Sequence, residues 1–308
     1  MAGDATSAAA AGAPVKRQAP GLRWGPYLLL LPSAIMLTVF TLYPMAASGV
    51  LALFKADMAH PDPVWGGLQN FRDVFSSEIF RIVMRNTVVF AVGTIPLSVG
   101  LALFLAIQLN RKVQGVAFLR AAFFYPTMLP LVSAASIWIF MFNPHYGPVN
   151  YMVRFFGGSS LNWLGTPGLA LPAIMVVSIW KDAGYFMIFY LAGLQNLPSD
   201  VFEAAELDGA SRWQQFWRIT FPLLMPTTLF VSTISFINAF KTVDQIFIMT
   251  AGGPQNATNL LLYHVFELTF SFFDKGKGAA ASVVLIAILL VAALFNQFYV
   301  DKRVHYDG

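Results

Sequence analysis

The stretch PSDVFEAAELDGASRWQQFWRITFPLLMPT, residues 198–227, lies between two apolar runs and is itself too polar at its start to sit in lipid. It is also too rich in helix formers to be a slack loop. Asp200 and Glu203 stand at capping-box spacing, which predicts a short helix starting there and running to about Asp208. Gly209 then supplies the left-handed conformation that turns the chain, and a second helix begins near Ser211. A compact helix, turn and helix is expected at a surface, held between two embedded segments.

Working outward, the 308 residues are 57% hydrophobic and only 11% charged, with a mean hydropathy of +0.64. An ordinary soluble domain carries about a quarter charged residues, so a soluble enzyme is not the default class. Apolar runs long enough to cross a bilayer cover residues 24–54, 86–110, 121–142, 169–196, 222–249 and 278–300. Only Lys181 and Asp182 interrupt the fourth run, and only Lys241 and Asp244 the fifth. The expected fold is all-α, a polytopic membrane protein with six transmembrane helices spanning residues 23–304. Residues 1–22 read as a disordered N-terminal tail and 305–308 as a short C-terminal tail. The first run is too long for a cleavable signal and is expected to stay as a helix.

Six crossings put both ends on one side. With the ends inside, Lys16, Arg17, Arg23, Arg111, Lys112, Arg120, Arg212, Arg218, Lys302 and Arg303 are cytoplasmic. Lys55, Arg72, Arg81, Arg85, Arg154, Lys275 and Lys277 are then outside. The balance favours cytoplasmic termini, although Arg81 and Arg85 beside the second run pull the other way. Residues 71–85 carry Phe71, Val74, Phe75, Ile79, Ile82 and Val83 at near-helical spacing, which reads as an amphipathic helix on the outer surface, or else as an extension of the second span.

Glu203-Ala204-Ala205, three residues, Gly209, nine residues, then Ile219, Thr220, Phe221 and Pro222 resemble the EAA signature of ABC importer permeases, with Phe221 where the pattern has Leu. TLYPM at 41–45, GLQNF at 67–71, RAAFFYPTMLP at 120–130 and TAGGPQNAT at 250–258 are similar to carbohydrate-uptake permeases of the maltose and glycerol-phosphate type. The resemblance implies a bacterial inner-membrane subunit with cytoplasmic termini. Its partners would be a second permease subunit, two ATPase subunits and an external or periplasmic solute-binding protein. It also implies that residues 198–221 couple to the ATPase through Glu203, Ala204, Ala205, Asp208 and Gly209. ATP and magnesium would be bound by the ATPase partner, with no cofactor in this chain.

Polar residues inside the apolar runs point to a path for solute, because a charge in a span costs about 2.5–3.5 kcal/mol unless it meets a cavity or a partner. Ser178, Lys181, Asp182 and Tyr185 form one helical stripe, and Ser235, Asn238, Lys241 and Thr242 another. Lys181 stands 17 residues before Pro198 and Lys241 19 after Pro222, about 26 and 28 Å along their axes at ~1.5 Å per residue. The two stripes therefore lie at matched depth. The lysines also admit a structural reading, in which Lys241 pairs with Asp244 at i, i+3.

Other chemistry is poorly supported. Gly276-Lys277 is followed by Gly278 and has no Gly at 271, so it is not a phosphate loop. There is no cysteine; His60, His145, His264 and His305 are dispersed, so no metal site is expected; and a net charge of +4 does not suggest nucleic acid. The expected function is transport of a sugar or sugar-like solute, neutral or phosphorylated, by a permease that is not itself an enzyme. The rival class is a self-sufficient secondary transporter using Lys181, Asp182, Lys241 and Asp244 as an ion relay.

Overall fold

The computed structural model describes residues 24–111 and 114–296. Both expected tails, the end of the expected sixth span and Lys112 lie outside these residues. The chain divides into Met1–Ala47 and Ser48–Gly308. In the first unit, α1 (Trp24–Leu37) runs through a wide π turn, Thr38–Leu42, into α2 (Tyr43–Leu51), within which the boundary between the units falls. Pro44 causes the widening: its ring crowds the carbonyl four residues back, and the Tyr43 amide reaches instead to the Thr38 carbonyl, five back.

The first span ends three residues earlier than its apolar run. Residues Phe54–Asp57 (β1) and His60–Trp65 (β2) form an antiparallel hairpin pairing Phe54 with Trp65 and Asp57 with His60. Asn70 stops the helix here by donating to the carbonyls of Ala52 and Phe54, both at 2.8 Å. Asn70 belongs to α3 (Gln69–Ser76), which Ser77 separates from α4 (Glu78–Leu109). Ser77 is extended and accepts from the Phe80 amide. The expected surface helix over 71–85 is therefore corrected: its second half, with Phe80 and Val83 buried, is the start of the second span. At 32 residues α4 is about 48 Å long, more than the ~30 Å hydrocarbon layer.

The third span is broken. Here α5 (Val116–Met128) and α6 (Leu131–Met141) meet at 103°, because Pro130 forces Leu129 into extended backbone (ψ 134°). After the short α7 (Pro148–Phe155), α8 (Pro167–Gln195) crosses without interruption. There follow α9 (Ser199–Leu207), α10 (Arg212–Gln215), a second π turn at Phe216–Thr220, α11 (Phe221–Leu223) and α12 (Met225–Phe240). Pro222 widens this turn as Pro44 widens the first. The fifth run is corrected too: α12 stops at Phe240, and α13 (Asp244–Met249) is a separate helix. Finally α14 (Leu261–Phe266), a π turn at Glu267–Ser271 and α15 (Lys275–Phe295) complete the described chain. Among the described residues four helical runs are long and apolar enough to cross a membrane, and up to six if each of two bent pairs is one span.

In the second unit, α4 packs along α8, with α12 against α4 and α5 against α8. Small residues set the spacing: Ala91, Ala102, Ala106 and Ala183 are buried on these faces. At Gly184 a Cβ would stand 2.0 Å from the Phe123 carbonyl oxygen of α5. Gly184→Ala is thus expected to force α5 off α8 at a cost of about 1–3 kcal/mol. The check is the midpoint of thermal unfolding in detergent, which should fall; Gly168→Ala, where a Cβ meets nothing within 4 Å, should leave it unchanged.

Candidate translocation cavity and coupling element

The fourth and fifth spans bring their polar residues together. Ser178, Lys181 and Asp182 of α8, with Asn238 and Lys241 at the end of α12, line a cavity of about 230 Å³. Leu131 at the start of α6 and residues 242–245 complete the wall. Gln245 holds the two sides in register by donating to the Ser178 hydroxyl at 2.6 Å, both residues being buried. Thr242 closes onto the Asn238 carbonyl at 3.0 Å.

Five of the seven expected path residues meet here. The other two do not. Ser235 is buried against Ser98 of α4, hydroxyl to hydroxyl at 3.4 Å. Tyr185 lies one turn nearer the 198–221 element, its ring 5.4 Å from Phe186 and 5.2 Å from Phe189. The Lys241–Asp244 pair is also corrected. Lys241 caps α12 and Val243 leaves helical geometry (φ −134°), so the two residues do not share a continuous helix face. Among the described residues the ion pairs within 4.0 Å are His60–Asp57, His264–Glu267 and Lys277–Asp274. Lys181 and Lys241 therefore face the cavity with no carboxylate in salt-bridge contact. Gln245 was missed from sequence although, at i+7 from Asn238, it continues that stripe, and Asp244 was read only as a partner for Lys241 or a member of an ion relay.

At the far end of α8 stands the helix, turn and helix. The expected capping box at Asp200 and Glu203 is not formed: Pro198 occupies the N-cap without a side-chain bond, and α9 begins at Ser199. The box lies one helix later, where the Ser211 hydroxyl accepts from the Gln214 amide and Gln214 Oε1 accepts from the Ser211 amide at 2.8 Å. Between them Gly209 takes φ +73°. The Ala210 amide donates to the Ala205 carbonyl at 2.9 Å and the Gly209 amide to that of Glu206 at 3.1 Å, which closes the last turn of α9. Ala205 is buried beneath the turn, whereas Glu203, Ala204, Asp208 and Gly209 are exposed. Leu207 is 90% exposed. The element presents an exposed acidic face with an apolar point.

Residues 98–306 match the family model described as "Binding-protein-dependent transport system inner membrane component". The sn-glycerol-3-phosphate transport system permease protein UgpA of Agrobacterium fabrum is 36% identical over 91% of this chain and 96% of that protein. The trehalose/maltose transport system permease protein MalF of Thermococcus litoralis is 33% identical over 86% of this chain and 89% of its own length. A solved bacterial ABC transporter for import of the acidic polysaccharide alginate has a chain that superposes with TM-score 0.79 at 24% identity, over 91% of this chain and 96% of that one, a likeness of fold.

Proposed function

Because the chain belongs to the binding-protein-dependent inner-membrane transport family, as the multi-pass permease component of an ABC importer and not a catalytic subunit, we propose that it passes a sugar-like polyol through the cavity between α8 and α12. The observation that carries this is the convergence of Ser178, Lys181, Asp182, Asn238 and Lys241 on one space from two spans. Such a set offers both donors and acceptors to hydroxyl groups. Family membership sets aside the self-sufficient secondary transporter. Within the element from Pro198 to Phe221, α9 docks in a groove of a cytoplasmic ATPase subunit, Glu203 meeting a basic residue there, as a helix-in-groove contact. A second permease subunit, two ATPases and a solute-binding protein complete the importer. ATP-driven closure of the ATPases then moves the bundle as a rigid body.

A second reading is favoured by the two lysines that lack carboxylate partners and by the likeness to the glycerol-phosphate permease. In it the polyol carries an anionic group. Uptake into vesicles holding the reconstituted importer tests both. Transport should require ATP inside and the binding protein outside, and uptake without the ATPase would overturn the proposal.

The proposed orientation has cytoplasmic termini. A reporter fused after Gly308 and a tag between Pro198 and Arg218 should both be cytoplasmic, and a tag at Gly157 external. Protease protection in spheroplasts checks this, and a protected Gly157 tag would overturn the orientation.

A further inference from the structure

The two halves of the coupling element carry opposite charge. Residues 199–208 hold Asp200, Glu203, Glu206 and Asp208 and no base, whereas residues 210–227 hold Arg212 and Arg218 and no acid. The second half also carries an aromatic stack. Trp213 and Trp217 have ring centroids 5.6 Å apart, and Trp217 and Phe221 5.4 Å. Trp213 is 70% and Trp217 48% exposed. Beside them the half-buried Phe216 has its ring 5.0 Å from that of Trp217, and with Arg212, Gln215 and Thr220 it lines a pocket toward the ends of α4 and α8. Trp213 and Trp217, with the half-buried Phe221 stacked on Trp217 and the exposed Arg218 beside them, thus form an outward apolar face with a basic edge.

Its direction identifies what covers it. The segment Arg212–Leu223 runs continuously into α12 and bends from it by 66° at Leu224. With α12 standing near the membrane normal, a segment bent from it by 66° lies closer to the membrane plane than to its normal. Trp, Phe and Arg on such a segment are the residues that settle in the headgroup layer. We infer that the half Arg212–Leu223 is an anchor in the interface of anionic phospholipid, its aromatic stripe among the headgroups and Arg218 on lipid phosphate, while the acidic half stays in water for the ATPase. The inference rests on the reading of this element as a surface device of a membrane-spanning chain. It gives the coupling element a fixed pivot: the anchored half stays with the bilayer while α9 follows the ATPase.

The chain has no cysteine, so single labels in this subunit are unambiguous. Trp217→Cys, Trp213→Cys and Leu207→Cys, each spin-labelled, are placed in the complete importer in vesicles of phosphatidylcholine with phosphatidylglycerol, and the ATPase is then stripped. Labels at 213 and 217 should be relaxed by lipid-dissolved oxygen and shielded from a water-soluble nickel chelate, with the ATPase present or absent. Access of the chelate to both labels, or shielding that appears only with the ATPase, overturns the anchor and in the second case makes this half a protein-docking face. The label at 207 should be shielded only when the ATPase is bound; if it is not, the coupling reading fails while the anchor stands. Adding Arg218→Gln to Trp213→Cys should shift the lipid-exposed population about fivefold toward water in anionic vesicles, and an unchanged population counts against the lipid contact.

Discussion

Gly209→Pro is expected to leave the protein in the membrane at its normal level and to abolish coupled uptake. Proline fixes φ near −65°, whereas Gly209 sits at +73°. It also removes the amide that donates to the Glu206 carbonyl. Loss of the left-handed turn together with its amide bond costs about 1.5–3.5 kcal/mol, roughly ten- to four-hundredfold in the population of the docking geometry. The spans do not depend on this turn, which is exposed. Gly209→Ala separates conformation from bulk: a Cβ at 209 meets nothing within 4 Å, so any loss there reflects the left-handed backbone alone, about 1–2 kcal/mol or five- to thirtyfold. Asn, which tolerates that conformation, should lie nearer the native protein. Copurification of the ATPase and uptake by the reconstituted importer are the measurements. Tightly bound ATPase with native uptake in the proline variant would sink the coupling assignment.

That turn was legible because its determinants are local. Gly209 specifies its own backbone, and the charges flanking it keep the segment out of lipid. The six apolar runs were legible for the same reason, each being a property of about twenty consecutive residues. What escaped depends on partners far away in sequence. The hairpin at 54–65 exists because Asn70 takes two carbonyls that would otherwise continue the first helix. The break after Phe240 leaves no Gly or Pro as a signal; the chain turns at Lys241 and Gln245 is fixed by Ser178, 67 positions away. By contrast, Pro130 announces the sharp bend in the third span, and hydropathy alone passes over it. The candidate cavity was readable in part. Period alone grouped Tyr185 and Ser235 with the path, yet residues on one face of a helix at different heights meet different neighbours, here Phe189 and Ser98.

The lysines of the cavity give the second large effect, and they separate the two readings of the solute. If an anionic group sits between Lys181 and Lys241, Lys181→Met removes a charge-assisted hydrogen bond worth about 1.5–3 kcal/mol, which is roughly ten- to 150-fold in uptake. If the solute is a neutral polyol, the same change removes an ordinary contact of about 0.5–1.5 kcal/mol, or roughly two- to twelvefold. Asn238→Leu sets the scale, because a neutral amide should fall in the lower range for either solute. A structural role for the lysines makes a different demand. Neither lies within 4.0 Å of a described carboxylate, so the assembled complex should form in normal amount in both Lys→Met variants. Less assembled complex would mean that a lysine holds the packing, within this chain or against the second permease, and would remove it from the solute path. The decisive comparison is uptake of a polyol phosphate against its unphosphorylated counterpart by Lys181→Met, Lys241→Met and Asn238→Leu. Loss confined to the phosphate in the two lysine variants identifies an anion site. Equal, modest losses in all three identify a neutral one, and native uptake in all three places the path in the partner permease.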